Sequence, residues 1–182
     1  MDQQIQGKHK ITTHLWFDRE AKEAAEFYAS TFPDSQIKNI STIHDTPSGD
    51  CDIVSFELAG QPFMAISAGP LFKFNPSISF HVKCQTKEEV DVMWGKLLPG
   101  GMALMELGQY PFSERYGWLQ DKYGVSWQII FVGAGEIKQK ITPVLMFVGA
   151  VYGQAEEAMN FYTSVFKAPA GKVLAHYGGG EE

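Results

Sequence analysis

The sequence predicts an α+β fold of two βαβββ modules followed by an incomplete third βαβ start, and three observations carry that reading. Apolar residues switch from a period of two to a helical period of about 3.6 and back, twice, between residues 10 and 132. Gly- and Pro-containing turns separate these runs where a hairpin or a helix end is needed. The opening strand and helix then recur: KITTHLWF (10–17) returns as KITPVLMF (140–147), and AKEAAEFYASTF (21–32) as AEEAMNFYTSVF (155–166). An echo this close marks an internal repeat.

In the first module, residues 11–17 alternate, with Ile11, Thr13, Leu15 and Phe17 on one face and Thr12, His14 and Trp16 on the other. Residues 19–32 carry a helical stripe of Ala21, Ala24, Ala25, Tyr28 and Phe32, with Asp18 as the expected N-cap and Pro33-Asp34 as the stop. Strands are expected at 36–43 and 52–58, then at 62–67 after the turn Ala59-Gly60-Gln61. The grammar restarts at 77–84, an alternating strand. A helix to Leu98 follows, opened by Thr86 and Glu89 in a capping-box spacing. Pro99-Gly100-Gly101 ends that helix, and strands are expected at 102–107, 115–120 and 125–132. The predicted layout is a domain at 8–133 (modules 10–68 and 76–132), a linker at 134–139 and an incomplete second domain at 140–182. The third start has its own helix at 155–166 and a last strand at 172–177 before GGGEE. A strand-helix-strand alone leaves edges and an apolar helix face uncovered. Two expectations follow: residues 140–177 pack on or exchange with a partner chain in a homodimer, or the chain is a piece of a two-domain protein.

Composition narrows the function classes. The 182 residues are 45% hydrophobic and 20% charged, as in ordinary globular proteins. A net charge of -6 argues against nucleic acid and anionic membrane surfaces as partners. No run approaches the roughly 20 apolar residues of a membrane span. The polar N-terminus MDQQIQGKHK lacks the apolar core of a signal peptide. Cys51 and Cys84 sit in separate strand-like runs and read as buried, reduced thiols. The cytoplasm is the expected compartment.

LWFD (15–18), AEFY (25–28), Phe32-Pro33 and YGWLQDKYGVSWQI (116–129) together resemble the PhnB-like, 3-demethylubiquinone 3-methyltransferase-like branch of the vicinal oxygen chelate (glyoxalase, bleomycin-resistance, dioxygenase) superfamily. The resemblance implies that eight strands curl into an open, barrel-like sheet around a cleft, with helices outside. Alternation then places Thr12, His14 and Trp16 toward the cleft, with Ser79, His81 and Lys83 from the second module and Ser126, Gln128 and Ile130 from the last strand.

Enzymes of the superfamily hold a divalent metal through His and Glu on the first and last strands of each module, donors suited to such a cation. Laying this chain on that pattern puts Thr12 or His14, Ala65 or Ser67, Ser79 or His81, and Gln128 at those positions. Two histidines without a carboxylate make a poor ligand set, so no cofactor is expected; if a metal binds, its ligands are His14, His81 and Gln128. The cleft candidates for a small ligand are His14, Trp16, His81, Tyr116, Trp118 and Gln128, weighed against plain packing of a small barrel. Phe72 and Phe74 are expected to anchor the crossing between modules, Glu106 to be solvated, and Trp127 to face outward as packing. Methyl transfer from S-adenosylmethionine needs a Gly-rich turn between a strand and a helix. Gly100-Gly101 ends a helix and Gly178-Gly179-Gly180 lies at the C-terminus, so neither fits. Three functions remain open: a small-molecule binder without metal, a metal-dependent lyase, isomerase or dioxygenase, and a mainly structural or regulatory dimer.

Overall fold

In the computed structural model, residues 11–169 and Gly171 are described. The first module runs β1 (Thr13–Phe17), α1 (Ala21–Thr31), β2 (Gln36–Thr46), β3 (Gly49–Leu58) and β4 (Gln61–Ser67). The second runs β5 (Ile78–Cys84), α2 (Lys87–Leu97), β6 (Met102–Tyr110), β7 (Ser113–Gln120) and β8 (Ser126–Phe131). Each is a βαβββ unit in which the first strand pairs in parallel with the last, β1 with β4 and β5 with β8. A helix makes the crossover that parallel pairing requires.

The strands form a four-stranded sheet ordered β1-β4-β3-β2 and a five-stranded sheet ordered β6-β7-β8-β5-β9, where β9 is Ile141–Leu145. The expected α+β fold of two βαβββ modules is present, with their eight strands divided between these sheets, and among the described residues no ladder joins β1 to the second sheet. The third copy of the opening strand, β9, instead takes the edge beside β5. It is fastened there by Lys83 N–H donating to the Lys140 carbonyl at 2.9 Å, and the Lys140 ammonium pairs with Glu89. Ile141 is buried in the core of the two modules.

Among the described residues, side-chain packing rather than a strand ladder unites the two modules. Phe63 of the first sheet meets Phe80 of the second at 5.5 Å, and Phe80 meets Trp127 at 5.1 Å. Trp127, fully buried, also contacts Tyr28 of α1 and Phe32 just past its end. Truncating an aromatic so placed costs about 3–5 kcal/mol. The fit is close elsewhere too: a Cβ on Gly117 would stand 2.4 Å from the Trp94 ring of α2. At the β3–β4 turn, Ala59 and Gly60 both take positive φ, as the tightest hairpins demand.

Some boundaries differ from the sequence reading. Helix α1 begins at Ala21 after Glu20, not at Asp18, and no side chain caps it; Ser67 Oγ accepts the Ala21 N–H instead. Thr86 does cap α2 by accepting from the Glu89 N–H, while the Glu89 carboxylate accepts from Gln85 N–H rather than Thr86. Strands β2 and β3 reach Thr46 and Gly49, beyond the alternating stretches, as a polar two-stranded ribbon with an exposed edge. Both cysteines are free and buried. No described helix is long and apolar enough to cross a membrane. The chain divides into compact units at 1–144 and 145–182. The second contains a 3₁₀ turn at Gly149–Val151 and helix α3 (Ala155–Val165). The strand expected at 172–177 and the glycines at 178–180 lie outside the described residues.

Candidate functional site

Two neighbouring features make up the site. The first is a polar network on one face of the second sheet. Because side chains alternate, Ser79, His81 and Lys83 stand on the face of β5 opposite the core residues Phe80, Val82 and Cys84. Register then sets Trp118 of β7, Gln128 of β8 and His81 of β5 in one cross-strand row. Within this row Gln128 is spoken for at both ends: Nε2 donates to Ser79 Oγ at 2.7 Å, and Oε1 accepts from Tyr116 OH at 2.8 Å. Trp118 Nε1 donates to Ser126 Oγ at 2.7 Å.

Burial fixes the protonation of this face. The Tyr116 phenol is pushed up to about 12, mainly by burial and further by Tyr110, so it stays a donor. Rings of Tyr110 and Phe112 cover it edge-on at 5.5 and 5.0 Å. His81 is held below its ordinary value, first by burial and then by the Lys83 charge, so at neutral pH its ring is uncharged.

The second feature is a crevice of about 310 Å³ between the sheets. Thr13, His14 and Leu15 of β1 form one wall, and Ile78, Phe80, Val125 and Ser126 the other. Lys73, Phe74 and Asn75 of the crossing and Pro143 of β9 complete its lining. Ser126 belongs to both features.

The sequence candidates fall as follows. Ser79, Tyr116 and Gln128 are brought into one network, with His81 and Trp118 in the adjoining row. His14 lines the crevice and His81 does not. Trp16 donates from Nε1 to the Gly69 carbonyl at 2.8 Å and meets Phe72 edge-on. Thr12 lies before β1, exposed. Ala65 and Ser67, placed by the superfamily pattern at a ligand position, are on the buried face of β4: Ala65 is in the core and Ser67 serves the α1 N-terminus. Phe74 anchors the crossing against Phe17, Phe72 is largely exposed, and Glu106 is exposed. Trp127 packs on the helix side of its sheet, against Tyr28 and Phe32, as the plain packing expected of it.

Sequence reasoning missed Asp121. Its buried carboxylate accepts from Tyr28 OH at 2.7 Å, Trp127 Nε1 at 2.8 Å, and the N–H groups of Tyr123 and Val125. Burial raises its pKa, and those four bonds oppose the rise. The AEFY and LQDKYGVSW motifs meet here, so their shared residues are a structural clasp between modules. A turn-initiating Asp just before Lys-Tyr-Gly was the available signal.

Among the described residues, no group of three or more His, Cys, Asp or Glu side chains is placed to hold a metal ion. The superfamily positions of the second module present a hydroxyl, Ser79, and an amide, Gln128, already bonded to each other.

Residues 9–130 match the family model described as 3-demethylubiquinone-9 3-methyltransferase. A solved PhnB protein from Bacillus cereus carrying the same methyltransferase description is 43% identical; the match covers 68% of this chain and 100% of that one, with a TM-score of 0.64. Protein PA1353 of Pseudomonas aeruginosa is 18% identical over 68% of this chain and 97% of its own, at a TM-score of 0.60. The fosfomycin resistance protein FosX of Listeria monocytogenes is 16% identical over 72% and 96%, at 0.51, a likeness of fold. No curated protein matches the chain.

Proposed function

The chain belongs to the family described as 3-demethylubiquinone-9 3-methyltransferase, a PhnB-like branch of the vicinal oxygen chelate superfamily, and we propose for it a binding function without methyl transfer. Its ligand is a small organic molecule held in the crevice between the sheets, with no tightly bound divalent metal.

The Gln128 amide, hydrogen-bonded at both ends, carries this reading. A metal ligand needs a free lone pair aimed at the ion, preferably anionic or imidazole. Here the oxygen of Gln128 accepts from Tyr116, its nitrogen donates to Ser79, and no carboxylate adjoins them. These residues do not fit a divalent cation. The crevice supports the binding part, since its volume of about 310 Å³ lies at the lower end of ligand pockets and its walls are mostly apolar. Against methyl transfer stand the two separate sheets, neither of them doubly wound, and the glycines at 100–101, which follow α2 instead of opening a helix.

The metal-dependent alternative has one observation behind it. A variant of FosX from Listeria monocytogenes was solved with Mn(II) and 1S,2S-dihydroxypropylphosphonic acid, at 15% identity and a TM-score of 0.51 to this chain. That likeness extends to the fold alone. Metal analysis of full-length protein purified without chelator separates the readings. We expect well under one equivalent of Zn, Mn, Fe or Ni per chain, and no change in thermal midpoint on adding any of them. One equivalent of a divalent metal, lost together with ligand binding in Gln128→Ala, would sink the proposal.

A further inference from the structure

We infer that the crevice selects a small organic anion, a molecule with a compact apolar body and one carboxylate-like group. This inference rests on the crevice being the ligand site, and it adds the charge of the ligand.

The argument is a count of what the walls can donate and accept. The body of the crevice is apolar, with Leu15, Phe80, Val125 and Pro143 among its walls. Its polar side chains are Thr13, His14, Lys73, Asn75 and Ser126, of which Lys73 alone can only donate. Asn75 Oδ1 already accepts the Ser77 N–H at 2.9 Å, which leaves the amide NH₂ to donate. Ser126 Oγ has accepted the Trp118 indole N–H, so its own proton is available for a ligand oxygen. Lys73 lines the same crevice and makes no ion pair or side-chain hydrogen bond among the described residues. No carboxylate lines the crevice, in a chain whose net charge is -6. Asp18 and Glu20 line a neighbouring cavity together with Lys73, and neither bonds to it among the described residues. A neutral polar ligand would gain from the exposed Lys73 ammonium only what water already supplies. A cation would meet donors and no acid. An anion can accept from each of these three donors, and charge-assisted bonds are the stronger kind.

Matched probes test this. Full-length protein, labelled for NMR, is titrated with a set of aryl and alkyl carboxylates led by benzoate, and with the corresponding neutral amides led by benzamide. The carboxylates are expected to shift the amides of Leu15, Phe80 and Val125 with roughly fivefold or greater preference over the amides, a factor worth about 1 kcal/mol. Lys73→Gln, at an exposed position, should abolish the preference while leaving amide binding in place. Lys22→Gln, on the exposed face of α1, should leave the preference intact. If the neutral amides bind the same residues equally well, the anion inference is overturned and the crevice stands as a ligand site. If no member of either series perturbs those residues, the binding function proposed above falls with it.

Discussion

Helices α1 and α3 are two printings of one sequence pattern, set in different surroundings. In α1, Ala21, Ala24, Ala25 and Tyr28 are fully buried against the first sheet, and Phe32 follows them into the core. In α3 the corresponding residues are Ala155, Ala158, Met159, Tyr162 and Phe166, and no side chain of that helix is buried. Tyr162 is 45% exposed and Phe166 42%. Both helices form, because amphipathic period and local propensity act within the segment. What α1 has in addition is tertiary: strands beneath it, the Asp121 carboxylate for Tyr28, the Trp127 ring for Phe32, and Lys122 and Tyr123 for Glu23. The comparison shows that the stripe qualifies a helix for burial, while burial itself is conferred by residues far away in sequence.

Truncating the last aromatic of each copy should separate them most. Phe32→Ala is expected to cost about 3–5 kcal/mol, as for other buried aromatics. Phe166→Ala should stay within about 0.5 kcal/mol, as for surface positions. All four tryptophans, Trp16, Trp94, Trp118 and Trp127, lie in the 1–144 unit, so urea denaturation followed by Trp fluorescence reports that unit alone. A large loss in Phe166→Ala would mean that the face of α3 is covered in solution, against the comparison.

Removing one hydroxyl should produce the next largest difference. Tyr28→Phe deletes a buried donor to Asp121, leaving the carboxylate with Trp127 and two backbone N–H groups, at an expected cost of about 1–3 kcal/mol. Tyr162→Phe deletes a hydroxyl with no partner among the described residues, and the same fluorescence transition should not move. Combining Tyr28→Phe with Asp121→Asn should cost less than the sum of the two, since both touch one bond. Additive losses would show that the clasp is not a unit.

How much of this was legible beforehand follows the reach of each signal. The period of two grouped Ser79 with His81 and Lys83, and Ser126 with Gln128, and β5 and β8 keep those groupings because alternation is local. The stripe of α1 was readable for the same reason. Asp121 was not, since its partner Tyr28 lies 93 residues away and a turn Asp looks like any other. The polar ends of β2 and β3 carry no apolar alternation, so their extension to Thr46 and Gly49 was invisible. Whether His14 and His81 meet depends on how two sheets close over a shared aromatic core. No local pattern encodes that, nor the choice of β9 to take the edge of β5.

The smallest difference concerns Glu23 and Glu157, which occupy the same position in the two copies. Glu23 accepts from Tyr123 OH at 2.6 Å and from the Lys122 ammonium at 3.0 Å, and these partners hold its carboxyl below the ordinary 4.5. A carboxylate whose folded pKa is depressed contributes stability above the unfolded value, and that contribution fades as pH falls through the folded value. The effect should therefore be complete at neutral pH and decline below about 4.5. Since the pair is exposed, salt should weaken it throughout. Glu23→Gln is expected to flatten the acid limb of the stability curve slightly at low salt and to match the parent at 1 M salt. Glu157→Gln should leave the Trp-reported curve unchanged at either salt. An equal change in both variants would mean that the charge at this helix position acts through net repulsion across the chain, not through the Lys122-Tyr123 turn.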